Sequence, residues 1–191
     1  MAIRVLFVST GDVCRAPMAV GCLRAFVRRA RLEDAFEIAS AGTYQGADGQ
    51  PPSLLAQEAA SRRGYPIRDL RARRLVPEDL VHFAYTLAMD RTQLATMRLI
   101  APGHLTEHPQ MLLKFAPTVP SRDILDPYGG TTQDYETALN LIERGCAGLI
   151  EEIGRAMAGE RAGLLLRRQA TPAAHGSGEG ARVIRLSDRM R

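Results

Sequence analysis

Ile3-Arg4-Val5-Leu6-Phe7-Val8-Ser9-Thr10-Gly11-Asp12-Val13-Cys14-Arg15-Ala16-Pro17 opens the chain with the pattern of a strand, a tight loop and a helix start. Ile3 to Val8 is a short apolar, β-rich run, the form a parallel strand takes when both of its faces are buried. Ser9 to Arg15 is turn-like. From Pro17 onward, Met18, Cys22, Leu23, Phe26 and Val27 recur at helical spacing. Proline is favoured near a helix start because its missing N–H has no intrahelical partner there. A loop of this kind turns several backbone N–H groups inward, and the positive end of the helix dipole adds to them, so that together they attract an oxyanion.

Further along, strand and helix patterns alternate. Phe36 to Ala41 reads as a second strand, residues 42–52 as a Gly/Pro loop, and Ser53 to Arg63 as a helix ended by Gly64. Pro77 to Val81 predicts a short helix with Glu78 and Asp79 in its first turn. Phe83 to Met89 predicts a third strand, after which Asp90 caps a helix to about Leu99. Met111 to Phe115 is the candidate fourth strand, and residues 116–130 form a loop rich in Pro, Gly and Asp. Thr132 to Ala158 is an amphipathic helix with Tyr135, Leu139, Ile142, Cys146, Leu149, Ile150 and Ile153 on one face. The alternation gives an α/β fold, a four-stranded parallel sheet with helices on both faces. In such sheets ligands sit at the carboxyl ends of the strands, which singles out Ser9–Arg15.

The chain has 191 residues, 46% hydrophobic and 24% charged, the composition of an ordinary globular protein. That argues against a disordered, collagenous or repeat protein. No run approaches the ~20 apolar residues of a spanning helix. MAIRVLFVST lacks a basic segment ahead of a long apolar run, so it is not read as a secretory signal. Cys14, Cys22 and Cys146 are too few and too scattered for a disulfide framework or a zinc site, which implies a reducing, cytoplasmic setting. The net charge of +4 is unevenly placed. Residues 155–191 hold eight arginines against Glu160, Glu179 and Asp188, a net of +5, which leaves −1 on residues 1–154. We therefore expect a domain over 1–158 and a basic, Gly/Ala-rich, disordered tail over 159–191. The tail has no interleaved aromatics, so nucleic acid is not an expected partner, nor is a membrane.

Within the loop, Gly11 permits a backbone shape closed to residues with a Cβ, and the planar fork of Arg15 can hold two phosphate oxygens. The GxxxxGK[ST] pattern of a nucleotide-triphosphate loop does not occur. FVSTGDVCRAP (residues 7–17) resembles the signature of the low-molecular-weight protein tyrosine phosphatases, roughly C-x5-R-S after a strand. Ser40-Ala41-Gly42-Thr43, Arg71-Ala72-Arg73, Leu87-Ala88-Met89-Asp90 and Asp126-Pro127-Tyr128 agree in order and spacing, so that the likeness covers about residues 3–154. The resemblance implies a cysteine nucleophile at position 9, Arg15 as the oxyanion clamp and Asp126 as general acid and base. It implies substrate contacts from Thr10, Gly11, Asp12, Val13, Cys14 and Tyr128, with no cofactor and no metal.

Position 9 is Ser9. A cysteine there becomes a thiolate because its pKa starts near ~8.5 and a helix N-terminus lowers it further. A serine hydroxyl starts far higher and needs a partner base. Cys14 directly precedes the arginine, which is the wrong place for in-line attack. Further departures accompany Ser9. The family's asparagine is Asp12, its serine after the arginine is Ala16, and the histidine of its xHRAR motif is Leu70; only Ser40 survives of that bracing set. An ionised Asp12 ~8 Å from a bound anion costs about 2 kcal/mol per unit charge at an effective dielectric of ~20. The family's aromatic in the SAGT loop aligns with Gly46, with Tyr44 displaced by two, and the Asp and Arg of its G-x-P-x-D-x-R stretch are missing from residues 49–55.

Two readings stay open. One is a phosphatase-like protein that binds phosphotyrosine or a small phosphate ester with absent or very weak turnover. The other is an active phosphatase whose nucleophilic cysteine was changed to give Ser9. The number of altered support positions favours natural divergence. An arsenate reductase, which uses the same fold, is rejected because it needs a relay of redox cysteines. His104 and His108 read as surface loop residues rather than metal ligands. Cys22 and Cys146 read as core residues, and the cluster Arg62, Arg63, Arg68, Arg71, Arg73 and Arg74 as a solvated face that could dock an acidic phosphoprotein.

Overall fold

In the computed structural model, residues 2–170 are described, with side chains through residue 158. Four parallel strands, β1 (Ile3–Ser9), β2 (Phe36–Gly42), β3 (Tyr85–Ala88) and β4 (Gln110–Met111), lie in the order β2-β1-β3-β4. β1 is central, with Val8 between Ala41 and Ala88 and Ser9 opposite Gly42. The chain leaves β1 towards one edge for β2 and returns past it for β3. The crevice at the carboxyl end of β1 is therefore the topological switch point where such sheets bind ligands. Val5, Leu6, Phe7 and Val8 are fully buried, as the unbroken apolar run predicts for a strand covered on both faces.

The helices start where local chemistry dictates. α1 (Arg15–Arg29) begins two residues before Pro17, with Cys14 as its N-cap residue. Pro17 is still tolerated because the N–H groups of a helix's first turn have no intrahelical acceptor. α2 (Leu54–Arg62) follows Ser53, whose hydroxyl accepts a hydrogen bond from the Ala56 amide at 3.3 Å. α3 is Pro77–His82. α4 (Arg91–Ile100) is capped by Asp90, which accepts from the amides of Thr92 at 2.7 Å and Gln93 at 3.2 Å. One face of the sheet, through Leu6, Val8, Ala41 and Ala88, packs with Leu80 of α3 and Met97 of α4. Strand alternation sends Val5 and Phe7 to the other face, where α1 lies along β1 and β2. α5 (Thr132–Ala170) meets α1 where the Cys146 thiol points at the Ala19 carbonyl, 4.0 Å away.

Two expectations change. The fourth strand is only Gln110–Met111, and Leu112–Phe115 forms a 3-10 turn instead of continuing it. Leu112 and Leu113 are both fully buried. Consecutive strand residues face opposite sides, whereas the turn lets both enter the core, Leu112 against Gly145 of α5. Met1–Gly154 is one of two compact units, the other starting at Arg155. α5 nevertheless continues as helix through 159–170, where an unstructured tail was expected. This part of the sequence, GERAGLLLRRQA, is rich in helix formers and has no proline. The rest of the expected tail, 171–191, lies outside the described residues. Among the described residues no helix is long and apolar enough to cross a membrane.

Gly42 fixes the seat of the crevice. A Cβ at this position would lie 2.9 Å from the Thr10 carbonyl oxygen and 3.1 Å from the Asp12 nitrogen, both backbone atoms of the loop. Gly42→Ala is expected to lower stability by about 1–3 kcal/mol, the range for overpacking, read as a lower urea midpoint at unchanged slope.

Candidate functional site

The loop after β1 is held from outside by its carbonyl groups. The carbonyls of Ser9, Thr10, Val13 and Cys14 accept from the amides of Thr43 (3.0 Å), Tyr44 (2.8 Å), Ser53 (2.8 Å) and Met18 (3.2 Å). Among the described residues no peptide bond is cis. Across a trans peptide the N–H points opposite to the preceding carbonyl, so the N–H groups of Thr10, Gly11, Cys14 and Arg15 face away from these partners, to the inner side of the loop. Asp12 turns the chain in the left-handed region, at φ 54°. Successive amides around such a residue form an anion-binding concavity, here at the N-terminus of α1.

Arg15 closes the loop. It is 1% exposed and its guanidinium binds in four directions. Nη1 donates to Asp90 Oδ2 at 2.6 Å and to the Ile124 carbonyl at 2.8 Å. Nη2 donates to Asp126 Oδ2 at 2.6 Å and to Thr10 Oγ1 at 3.0 Å. Asp90 arrives as the cap of α4 and Asp126 from the 116–130 loop, so one side chain ties three carboxyl-end segments together. The buried Gln93 amide joins them, donating to both Asp90 oxygens (2.8 and 2.6 Å) and accepting from Thr10 Oγ1 at 3.2 Å. Asp126 is thus within reach of the loop as the sequence reading required, and its Oδ1 accepts from the Tyr128 amide at 3.3 Å.

Two further loop side chains face inward to protein. Asp12 is 1% exposed; its Oδ2 accepts from the Arg73 amide at 3.1 Å while Oδ1 is buried without a hydrogen-bond partner. Burial pushes its carboxyl up to about 7, against the opposing pull of the Ser40 hydroxyl and of Arg73. The repulsion expected from a fully ionised Asp12 is therefore partly relieved near neutral pH. The bracing role expected to be lost with the family's asparagine is retained through the Arg73 amide. Cys14 is buried, its Sγ 3.3 Å from Ser53 Oγ and 3.4 Å from Tyr135 Oη. Burial raises its pKa, with the bonds to Ser53 and Tyr135 opposing, so it is a protonated thiol and not an attacking thiolate.

A cleft of about 390 Å³ opens over the loop. Ser9, Thr10, Gly11, Val13 and Cys14 line its floor, Tyr44, Gly46, Ala47 and Gln50 one wall, and Asp126 and Tyr128 the other. Tyr44 and Tyr128 are exposed at the mouth. The sequence puts the family's aromatic position on Gly46 and Tyr44 two residues away, yet the Tyr44 ring lies over Gly46, where a Cβ would fall 2.3–2.5 Å from the ring and hydroxyl. The glycine at the aligned position admits a ring from two residues earlier. Only the pairing of a missing Cβ with a nearby tyrosine could have signalled this. The expected solvated arginine face is in part an ion-pair network. Arg62 and Arg63 bind Glu136, Arg63 also binds Glu143, and Arg73 binds Asp79. His108, expected as a surface residue, is half-buried and bonds the Phe83 carbonyl at 2.8 Å. Among the described residues no group of three His, Cys, Asp or Glu side chains is placed to hold a metal ion.

Residues 4–158 match the family described as low molecular weight phosphotyrosine protein phosphatase. The chain is 34% identical over 151 residues to the low molecular weight protein-tyrosine-phosphatase YfkJ of Bacillus subtilis, covering 79% of this chain and 96% of that protein. It is 29% identical over 150 residues to the human low molecular weight phosphotyrosine protein phosphatase, covering 78% and 94%. The crystal structure of YfkJ superposes with a TM-score of 0.77 over 82% of this chain and 97% of its own.

The state of Asp12 has a measurable consequence for stability. Its folded pKa of about 7 lies above the ordinary 3.8, so below pH 4 burial of the group costs nothing. As pH rises towards 7 the unfolded chain ionises first and stability falls, remaining low above 7. Asp12→Asn removes the charge and is expected to stabilise the protein at pH 8 by on the order of 3 kcal/mol, a gain that vanishes near pH 4. Urea unfolding of both forms at the two pH values measures it.

Proposed function

The chain belongs to the low molecular weight phosphotyrosine protein phosphatase family, and on that footing we propose that its Ser9–Arg15 loop binds a phosphate monoester, as phosphotyrosine or a small phosphate ester, with absent or very weak turnover. The observation that carries this is a buried arginine closing a loop of inward amides beneath two exposed tyrosines, with a hydroxyl at the attacking position. The amides and Arg15 bind the phosphoryl oxygens by charge-assisted hydrogen bonds. The rings of Tyr44 and Tyr128 flank the aryl group. A bound phosphoryl group takes the Arg15 fork over from Asp126, which leaves the Asp126 carboxyl facing the ester oxygen.

Turnover fails at Ser9. No histidine is among the residues lining the cleft, and the Asp126 carboxyl, once released by Arg15, faces the ester oxygen on the leaving-group side, so the Ser9 hydroxyl has no base at hand. Cys14 does not replace it, being buried and protonated. The changes at Asp12, Ala16 and Leu70 favour a naturally diverged binding protein that recognises or shields a phosphorylated partner. The three cysteines are buried and free, which supports a reducing, cytoplasmic setting. A second reading, an active phosphatase whose cysteine was changed to Ser9, is favoured by the intact placement of Arg15, Asp90 and Asp126.

The chain as it stands is expected to show no turnover of p-nitrophenyl phosphate above background, and Ser9→Cys to gain it. Robust hydrolysis by the Ser9 form would defeat the requirement for a thiolate. Phosphate or vanadate titration should lose at least tenfold in affinity in Arg15→Ala, with circular dichroism confirming the fold; equal affinity in both forms would remove the loop as the site. Gly46→Ala should displace the Tyr44 ring, weakening phenyl phosphate several-fold while leaving inorganic phosphate unchanged, as isothermal titration calorimetry would read.

A further inference from the structure

We propose that the Ser9–Arg15 loop holds an oxyanion only while Asp12 carries a proton, so that where Asp12 is ionised in the free protein each dianion bound takes up one proton with it. This rests on the reading of the loop as an anion site and adds a control to it. The charge balance of the site requires it. Arg15 is the one cation of the bowl, and two carboxylates, Asp90 and Asp126, already sit 2.6 Å from it. The three together carry −1 before any ligand arrives. Ionised Asp12 would make it −2, doubling the repulsion a dianion must overcome with little water to screen it.

Among the described residues, those around Asp12 only partly offset its charge. From β2 comes the Ser40 hydroxyl, which is uncharged. Next to the turn at 45–47 stands Asp48, a second negative charge that raises the Asp12 pKa. From the segment before α3 comes Arg73, whose amide bonds Oδ2, but whose guanidinium is committed to Asp79 through two contacts of 2.9 Å. From α1, Arg15 is held by the two other carboxylates. Asp12 is 1% exposed, so solvent does not compensate, and its Oδ1 has no hydrogen-bond partner. A neutral carboxyl suits that surrounding, and burial places the change of state at about 7, inside the physiological range. The left-handed backbone at Asp12 couples the two sites, because the same residue shapes the loop and carries the charge beneath it.

Sulfate is the probe, because it stays a dianion from pH 5.5 to 8.5 while phosphate itself titrates. By isothermal titration calorimetry, sulfate affinity of the full chain should weaken about 30-fold from pH 5.5 to 8.5, close to tenfold per unit above 7. Asp12→Asn should keep the acid-limb affinity across the range within about threefold. A flat profile in the unaltered chain, or the same slope in Asp12→Asn, overturns the proton requirement while leaving the anion site standing. No sulfate binding at pH 5.5 by either form overturns the anion site and this inference with it. The unaltered chain supplies a second measurement that does not depend on the variant folding. At pH 8 the binding heat, compared across buffers of different ionisation enthalpy, should report close to one proton taken up per sulfate; zero uptake overturns the proposal.

Discussion

A guanidinium at 1% exposure, gripped by two carboxylates, a hydroxyl and a carbonyl, is the constraint on which the carboxyl end of this sheet depends. Removing one partner from a buried charged cluster typically costs about 3–5 kcal/mol, because the charge left behind is uncompensated. Arg15 therefore dictates more than ligand geometry. It fixes where α4 begins, since its partner Asp90 is also the cap of that helix. It fixes the 116–130 loop through Asp126 and the Ile124 carbonyl. The two tyrosines follow from this frame, Tyr128 because its amide is tied to Asp126, and Tyr44 because its amide is tied to Thr10, itself bonded to Arg15.

The elements legible in the sequence were those whose signals are local. The apolar run of β1, the Asp90 cap and the long apolar face of α5 each settle a structure within a few residues of themselves. The end of β4 was not legible, because Leu112 and Leu113 look the same in a strand as in a turn, and the choice is made by α5 some thirty residues later. The site divides in the same way. Ser9, Arg15 and Asp126 were placed by motif. Tyr44 was missed because its position depends on a side chain that Gly46 lacks. The two-carboxylate grip on Arg15 was missed because Asp90 reads locally as a helix cap and as one residue of a motif, neither of which says that it faces Arg15. Asp12 was read as a charge, and only its burial shows it to be a group that changes charge near neutrality.

The same physics that would make a thiolate at position 9 does little for a hydroxyl. Inward amides and a helix dipole favour a negative charge, which is enough to move a thiol that ionises near ~8.5 but far from enough for an alcohol. The loop thus separates two abilities that a cysteine would unite. On the proposed reading it attracts an anion from solution and lacks an anion of its own to attack with. Cys14 shows that proximity to a helix N-terminus does not suffice, since it lies at that terminus and burial still outweighs the field and raises its pKa.

Charge balance then connects the altered residues to one another. A nucleophilic thiolate would add a negative charge to a bowl that already holds Asp90 and Asp126 against a single arginine. Replacing it with Ser9 takes that charge away, and Asp12 introduces one that a proton can cancel.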